Sequence, residues 1–89
     1  MDFEWDTGKD EATRRERNIS LRSGVAIFAG RVVEWEDRRR DYGETRMRAV
    51  GQVGEAILHV VYADRGQTRR IISVRIASRK ERQLWLSRA

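Results

Sequence analysis

Thr45-Arg-Met-Arg-Ala-Val-Gly-Gln-Val53, Ala56-Ile-Leu-His-Val-Val-Tyr62 and Arg69-Arg-Ile-Ile-Ser-Val-Arg-Ile-Ala77 decide the fold. Each is rich in β-branched and aromatic residues, and each alternates in character with period two. Gly54-Glu55 separates the first two runs, and Asp64-Arg-Gly-Gln67 separates the last two. Such short connections predict an antiparallel meander. Arg31-Val-Val-Glu-Trp-Glu36 reads as a further strand, joined to the meander by the charged loop Asp37–Gly43. Upstream, Phe3 and Trp5 alternate with Asp2, Glu4 and Asp6, which predicts a short half-buried strand. Asp6 or Thr7 can cap a helix through Lys9–Arg17. Ser20 can cap a second, with Leu21, Val25 and Phe28 on one face and Gly30 as the stop. Downstream, Ser78-Arg-Lys-Glu81 fits a capping box, and Leu84 and Trp85 give the terminal helix an apolar face. The order β-α-α-β-β-β-β-α predicts an α+β fold with two N-terminal helices, an antiparallel sheet of four to five strands and a C-terminal helix.

The chain has 89 residues, so residues 1–89 read as a single small domain with a modest core. It has no cysteine, which excludes disulfides and thiolate metal sites. His59 is the one histidine, so a histidine-rich metal centre is excluded as well, although carboxylate-only sites stay open. No apolar run is long enough for a membrane span, and the start Met1-Asp-Phe-Glu4 resembles no signal peptide. A cytoplasmic protein needing no metal or other cofactor, and with no membrane partner, is the expectation. The net charge is +5, and 17 of the 19 basic residues are arginine, the side chain that grips phosphate bidentately. The charge is also polarised. Residues 1–11 carry five acids against Lys9, a local −4, and residues 65–82 carry seven bases against Glu81, a local +6. That asymmetry predicts a positive face suited to a polyanion.

Strand alternation says where the arginines point. In the last strand Ile72, Val74 and Ile76 should meet the helices, while Arg69, Ile71, Ser73 and Arg75 share the other side. Arg70 sits on the core-side register, near the sheet's rim. Arg46 and Arg48 lie on the side of Val50. If that side faces away from the helices, Arg46, Arg48 and Arg75 line one basic surface, bordered by Arg65 and Arg79. Blander readings stand beside this one. Arg46 and Arg48 can pair with Glu34, Glu36 or Glu55 across strands; Arg38-Arg-Arg40 is a solvated loop; Arg79 and Arg82 can cover apolar surface with their stems. His59, in mid-strand, reads as a packed or hydrogen-bonded histidine, and Trp35, Trp85 and Tyr62 read as core aromatics.

Phe3-Glu-Trp-Asp6-x-x-Lys9, the helix Ser20–Phe28, the Gly43-Glu-x-Arg46 step and Arg70-Ile-Ile-Ser-Val-Arg75-x-Ala77-x-Arg79-x-Glu81-Arg82 together resemble the BrnT family of type II toxin–antitoxin toxins, over nearly the whole chain. The resemblance implies a RelE-like fold and a ribonuclease activity that inhibits translation. It also implies neutralisation by a BrnA-like ribbon-helix-helix antitoxin. Two toxins and two antitoxins are expected in the complex, with operator DNA bound only through the antitoxin. A ribonuclease without metal can use the substrate's own 2′-OH, given in-line positioning, proton transfer and cations around the phosphorane-like transition state. Arg75 and Arg70 are assigned to phosphate stabilisation, Arg65 and Arg46 to positioning and Glu44 to the role of base; Arg46, Arg48, Arg79 and Lys80 are assigned to RNA contact. Typical members carry Asn and then Lys-His-Gly where this chain has Thr13, Glu16, Arg17 and Asn18. The usual C-terminal tyrosine is Trp85, which cannot transfer a proton. The alternative is a non-enzymatic or weakened co-repressor module that binds nucleic acid or a protein partner through the same face.

Overall fold

Two glycines set the meander. Gly54 and Gly66 each have φ of +60° and each opens a two-residue turn, between the paired residues Val53 and Ala56 and between Arg65 and Thr68. A positive φ at the first turn position is the type II′ pattern, whose twist matches that of the strands it joins. The computed structural model describes residues 1–88. Its elements are β1 (Asp2–Trp5), α1 (Thr7–Arg17), a 3₁₀ helix (Leu21–Ala29), β2 (Val32–Glu36), β3 (Met47–Val53), β4 (Ala56–Arg65), β5 (Thr68–Ile76) and α2 (Arg79–Ser87). The architecture is α+β, and β2 to β5 form the expected antiparallel meander.

The sheet order is β1-β5-β4-β3-β2, and β1 pairs with β5 in parallel. The sheet is therefore mixed, where the sequence predicted a purely antiparallel one. β5 ends the meander with an open edge, and the N-terminal strand covers its first half, from Asp2 beside Thr68 to Trp5 beside Ile71. Beyond that point Arg17, at the end of α1, donates to the Val74 carbonyl (3.0 Å) and to the Ser73 hydroxyl (3.4 Å). These contacts occupy polar groups that β1 is too short to reach.

The second helix is also corrected. It is a 3₁₀ helix, and its buried residues are Leu21, Gly24 and Ile27, three apart. Three residues per turn bring those positions onto one side, whereas the expected Leu21, Val25, Phe28 spacing belongs to an α-helix. Tight contact demands this geometry: a Cβ on Gly24 would lie 2.6 Å from Val74 Cγ2 and 3.3 Å from Val60 Cγ2. Leu21 and Ile27 join Ala49, Leu58, Val60, Tyr62, Ile71 and Val74 in the main core, with Phe3, Trp5 and Phe28 packed against it.

β5 departs from strict alternation. Val61 pairs with Ser73 but Tyr62 pairs with Ile71, so Ile72 is an extra residue, a β-bulge. The bulge puts both Ile71 and Val74 into the main core; Ile76, expected to meet the helices, is 60% exposed. It also exchanges the two arginines. Arg69 lies on the 3₁₀ side, its guanidinium 4.6 Å from the Phe28 ring centre and 4.1 Å from that of Tyr62. Arg70, opposite Ala63, moves to the face that carries Arg75.

That second face has a smaller core. α2 lays Trp85 against Val50 and Ile57, with Val33, Trp35 and Ala77 around them. α2 is fixed at its start by the predicted capping box: Glu81 N donates to Ser78 Oγ (3.2 Å) and Ser78 N to Glu81 Oε1 (2.8 Å). α2 covers only the end of the sheet near the β3–β4 turn.

Gly24→Ala tests the close packing of the 3₁₀ helix. Its methyl must displace Val74, and the variant should lose about 1–3 kcal/mol of stability in a urea unfolding series.

Candidate functional site

Alternation along β3 and β4 puts Arg46, Arg48 and Val50, and His59, Val61 and Arg65, on the α2 side of the sheet. Arg70 and Arg75 reach it from β5, so the predicted basic surface is assembled on one face. It divides into two clusters.

The first cluster surrounds Glu81. Arg75 grips its carboxylate bidentately, with Nη1 at 2.7 Å and Nη2 at 2.8 Å, and Arg48 adds a contact at 3.3 Å. Arg48 also donates from Nε to His59 Nε2 (3.0 Å), and its guanidinium lies 5.1 Å from the Trp35 ring centre. His59 is buried, as the sequence predicted, at 1% exposure. Burial first, then the charge of Arg75, push its pKa down to about 4, so at neutral pH it accepts from Arg48 as a neutral ring. Burial alone would raise Glu81. The hydrogen bonds from Arg75 and from the Ser78 amide outweigh that and hold it at about 2. The partners expected for Arg48 were acids on neighbouring strands, but the helix supplies the carboxylate instead.

The second cluster lies at the opposite end of the strands, away from α2. A pocket of about 180 Å³ is lined there by Asp6, Lys9, Glu44, Arg46, Arg65 and Arg70, with Ile71 and Ile72. Four cations face two carboxylates among those residues, a surplus of positive charge. Glu44 is held by Arg65 at 3.1 Å and lies 3.6 Å from Arg46 Nε. Arg46 stacks at 4.2 Å over Tyr42, and its Nε–H is buried without a hydrogen-bond acceptor. Arg70 leans on Glu4 at 3.2 Å. Lys9 belongs to the first turn of α1, where its amide donates to Asp6 Oδ1 (2.9 Å). Burial first, then the charges of Arg46 and Arg17, lower its pKa, while Asp6 opposes the shift.

The structure thus brings Glu44, Arg46, Arg65 and Arg70 together and sets Arg48 and Arg75 apart from them around Glu81. Arg79 and Lys80 stand exposed on the first turn of α2. Sequence reasoning missed two members. Glu81 was legible as a cap but not as the partner of Arg75 and Arg48. Lys9 was legible as part of a motif, and only the fold carries it to the pocket. A larger cavity, about 560 Å³, lies in the loop after β2, but Glu36, Asp37, Asp41 and Glu44 outnumber Arg38 and Arg40 along it. Its acidic lining disfavours a phosphate. Among the described residues no group of three or more His, Cys, Asp or Glu is placed to hold a metal ion. No described helix is long and apolar enough to cross a membrane.

The fold and the site define a small α+β protein that presents a row of arginines on one sheet face. The family model for the ribonuclease toxin, BrnT, of type II toxin–antitoxin systems matches residues 5–81, and the chain belongs to that family. No curated protein matches it. The family gives the chain its class of activity, ribonuclease, and with it an RNA target and an antitoxin partner.

Both clustered groups of the first cluster titrate below their ordinary values, His59 near 4 against 6.5 and Glu81 near 2 against 4.5. The unfolded chain therefore binds protons at higher pH than the folded one. Stability should be full above about pH 6.5 and fall as pH drops through the His59 window, then further below about 4.5. Urea midpoints measured against pH check this, and His59→Leu should flatten the curve between pH 6.5 and 4. Glu81→Gln leaves two guanidiniums without their carboxylate and should cost about 1–3 kcal/mol at neutral pH.

Proposed function

We propose that RNA is bound along the arginine face and cut at the pocket formed by Glu44, Arg46, Arg65 and Arg70, without a metal ion. The pocket itself carries this reading: four cations against two carboxylates, on the part of the face that α2 leaves uncovered. Three guanidiniums can stabilise charge on the equatorial oxygens of a phosphorane-like transition state. Glu44, held in place by Arg65, takes the proton of the attacking 2′-OH. Arg65 and Arg46 position the scissile phosphate and Arg70 stabilises its charge. Arg48 and Arg75 continue the positive row toward α2, where Arg79 and Lys80 add exposed charge for the flanking backbone.

The wider reading follows the family. The fold is of the RelE-like kind in a single domain, and cleavage of messenger RNA in the cytoplasm inhibits translation. A BrnA-like ribbon-helix-helix antitoxin masks the basic face, in a complex of two toxins and two antitoxins that contacts operator DNA through the antitoxin. One observation favours the weaker, co-repressor reading. Arg17, at the position of the family's histidine, is spent on the edge of β5 through Ser73 and Val74.

Purified protein should cut an oligoribonucleotide at neutral pH in the presence of EDTA. Arg70→Ala should lower kcat by about 10²–10³-fold, as loss of one preorganised donor does. Binding that is steeply salt-dependent with no cleavage at high protein concentration would establish the co-repressor reading instead.

A further inference from the structure

We infer that Lys9 is the general acid of this site, donating its ammonium proton to the 5′-oxygen that leaves when the RNA backbone is cut. The inference rests on the proposed cleavage at the pocket and supplies the half of the proton transfer that Glu44 cannot. Cleavage needs two proton movements. As the 2′-oxygen attacks, a P–O2′ bond forms and its proton passes to a base. As the P–O5′ bond breaks, its electron pair stays on the 5′-oxygen, which must take a proton from an acid. The products are a 2′,3′-cyclic phosphate and a 5′-hydroxyl, and the neutral amine and protonated carboxylate left behind exchange back through water.

Lys9 shares the pocket with Glu44, Arg46, Arg65 and Arg70, and of the cations there it alone can release its proton. A guanidinium keeps its proton throughout the working pH range. Other candidates are placed elsewhere. His59 is buried beneath Arg48, with Nε2 already accepting, and the Tyr62 hydroxyl is bound to Glu34. The backbone of Lys9 is also fixed. The Asp6 cap bonds its amide, and the positive end of α1 starts at the same turn, which favours phosphate there. Lys9 is exposed enough to meet substrate. Partial desolvation and the surrounding guanidiniums lower its pKa below the ordinary lysine value, which makes the ammonium a better proton donor; Asp6 counters them.

Two substrates separate the possibilities: an ordinary oligoribonucleotide, and one in which the leaving 5′-oxygen is replaced by sulfur, which departs without protonation. Lys9→Arg keeps the charge and should cut the ordinary substrate about 10²-fold or more slowly. On the thio substrate it should approach the wild-type rate, and it should bind a non-cleavable 2′-deoxy analogue as the wild type does. Full activity of Lys9→Arg on the ordinary substrate would overturn the inference. So would an equal loss on both substrates, which would make Lys9 a positioning charge. In either case the ribonuclease reading of the pocket would stand. Wild-type protein that cuts neither substrate would remove that reading and this inference with it.

Discussion

The Glu81 carboxylate is the contact on which the rest of the arginine face depends. It accepts from Arg75 twice, from Arg48 and from the Ser78 amide, so one group caps α2, anchors that helix to the sheet and offsets one of the two guanidinium charges beside it. Without it, two arginines and a buried histidine would crowd one patch of sheet with no counter-charge. Its position also decides how far α2 extends over the face. The helix starts immediately after β5, covers Val50 and Ile57 with Trp85, and stops. The other end of the face is left to Arg46, Arg65 and Arg70, whose compensation by Glu44 and Glu4 is looser, at 3.1–3.6 Å.

The two clusters therefore differ in kind. Around Glu81 the pairing is bidentate and backed by a helix cap, and such geometry holds structure together. Around Glu44 the pairing is more open, with the Arg65 and Arg46 contacts longer than those of Arg75, and Lys9 adds a cation. On the proposed reading an incoming phosphate takes over the donors of Arg65 and Arg46 and leaves the anchored α2 undisturbed. This division gives each arginine a task that its number in the sequence does not reveal, and it explains how so many positive charges fit on a small sheet.

Much of the fold was legible because it is local. Gly54-Glu55 and Gly66-Gln67 fix hairpins whatever surrounds them, and Ser78 and Glu81 cap a helix three residues apart. What failed was non-local. The parallel pairing of β1 joins residues more than sixty positions apart, which no period reports. The 3₁₀ helix is imposed by the closeness of Gly24 to Val74. The bulge at Ile72 reverses the faces of Arg69 and Arg70, and a twofold pattern carries no mark of one extra residue. For the site, alternation correctly gathered Arg46, Arg48 and Arg75 on one face. Glu44 and Lys9 come from a loop and from another element's first turn, so only tertiary structure sets them beside Arg70.

On the proposed reading, phosphate is taken at the uncovered end of the arginine face. A crystal structure with a short 2′-O-methyl RNA, which cannot supply the nucleophile, tests it most directly. A backbone phosphate should lie within hydrogen-bonding distance of Arg46, Arg65 and Arg70, next to Glu44 and Lys9. A strand bound on the 3₁₀ side of the sheet, or held only by the loop after β2, would contradict it.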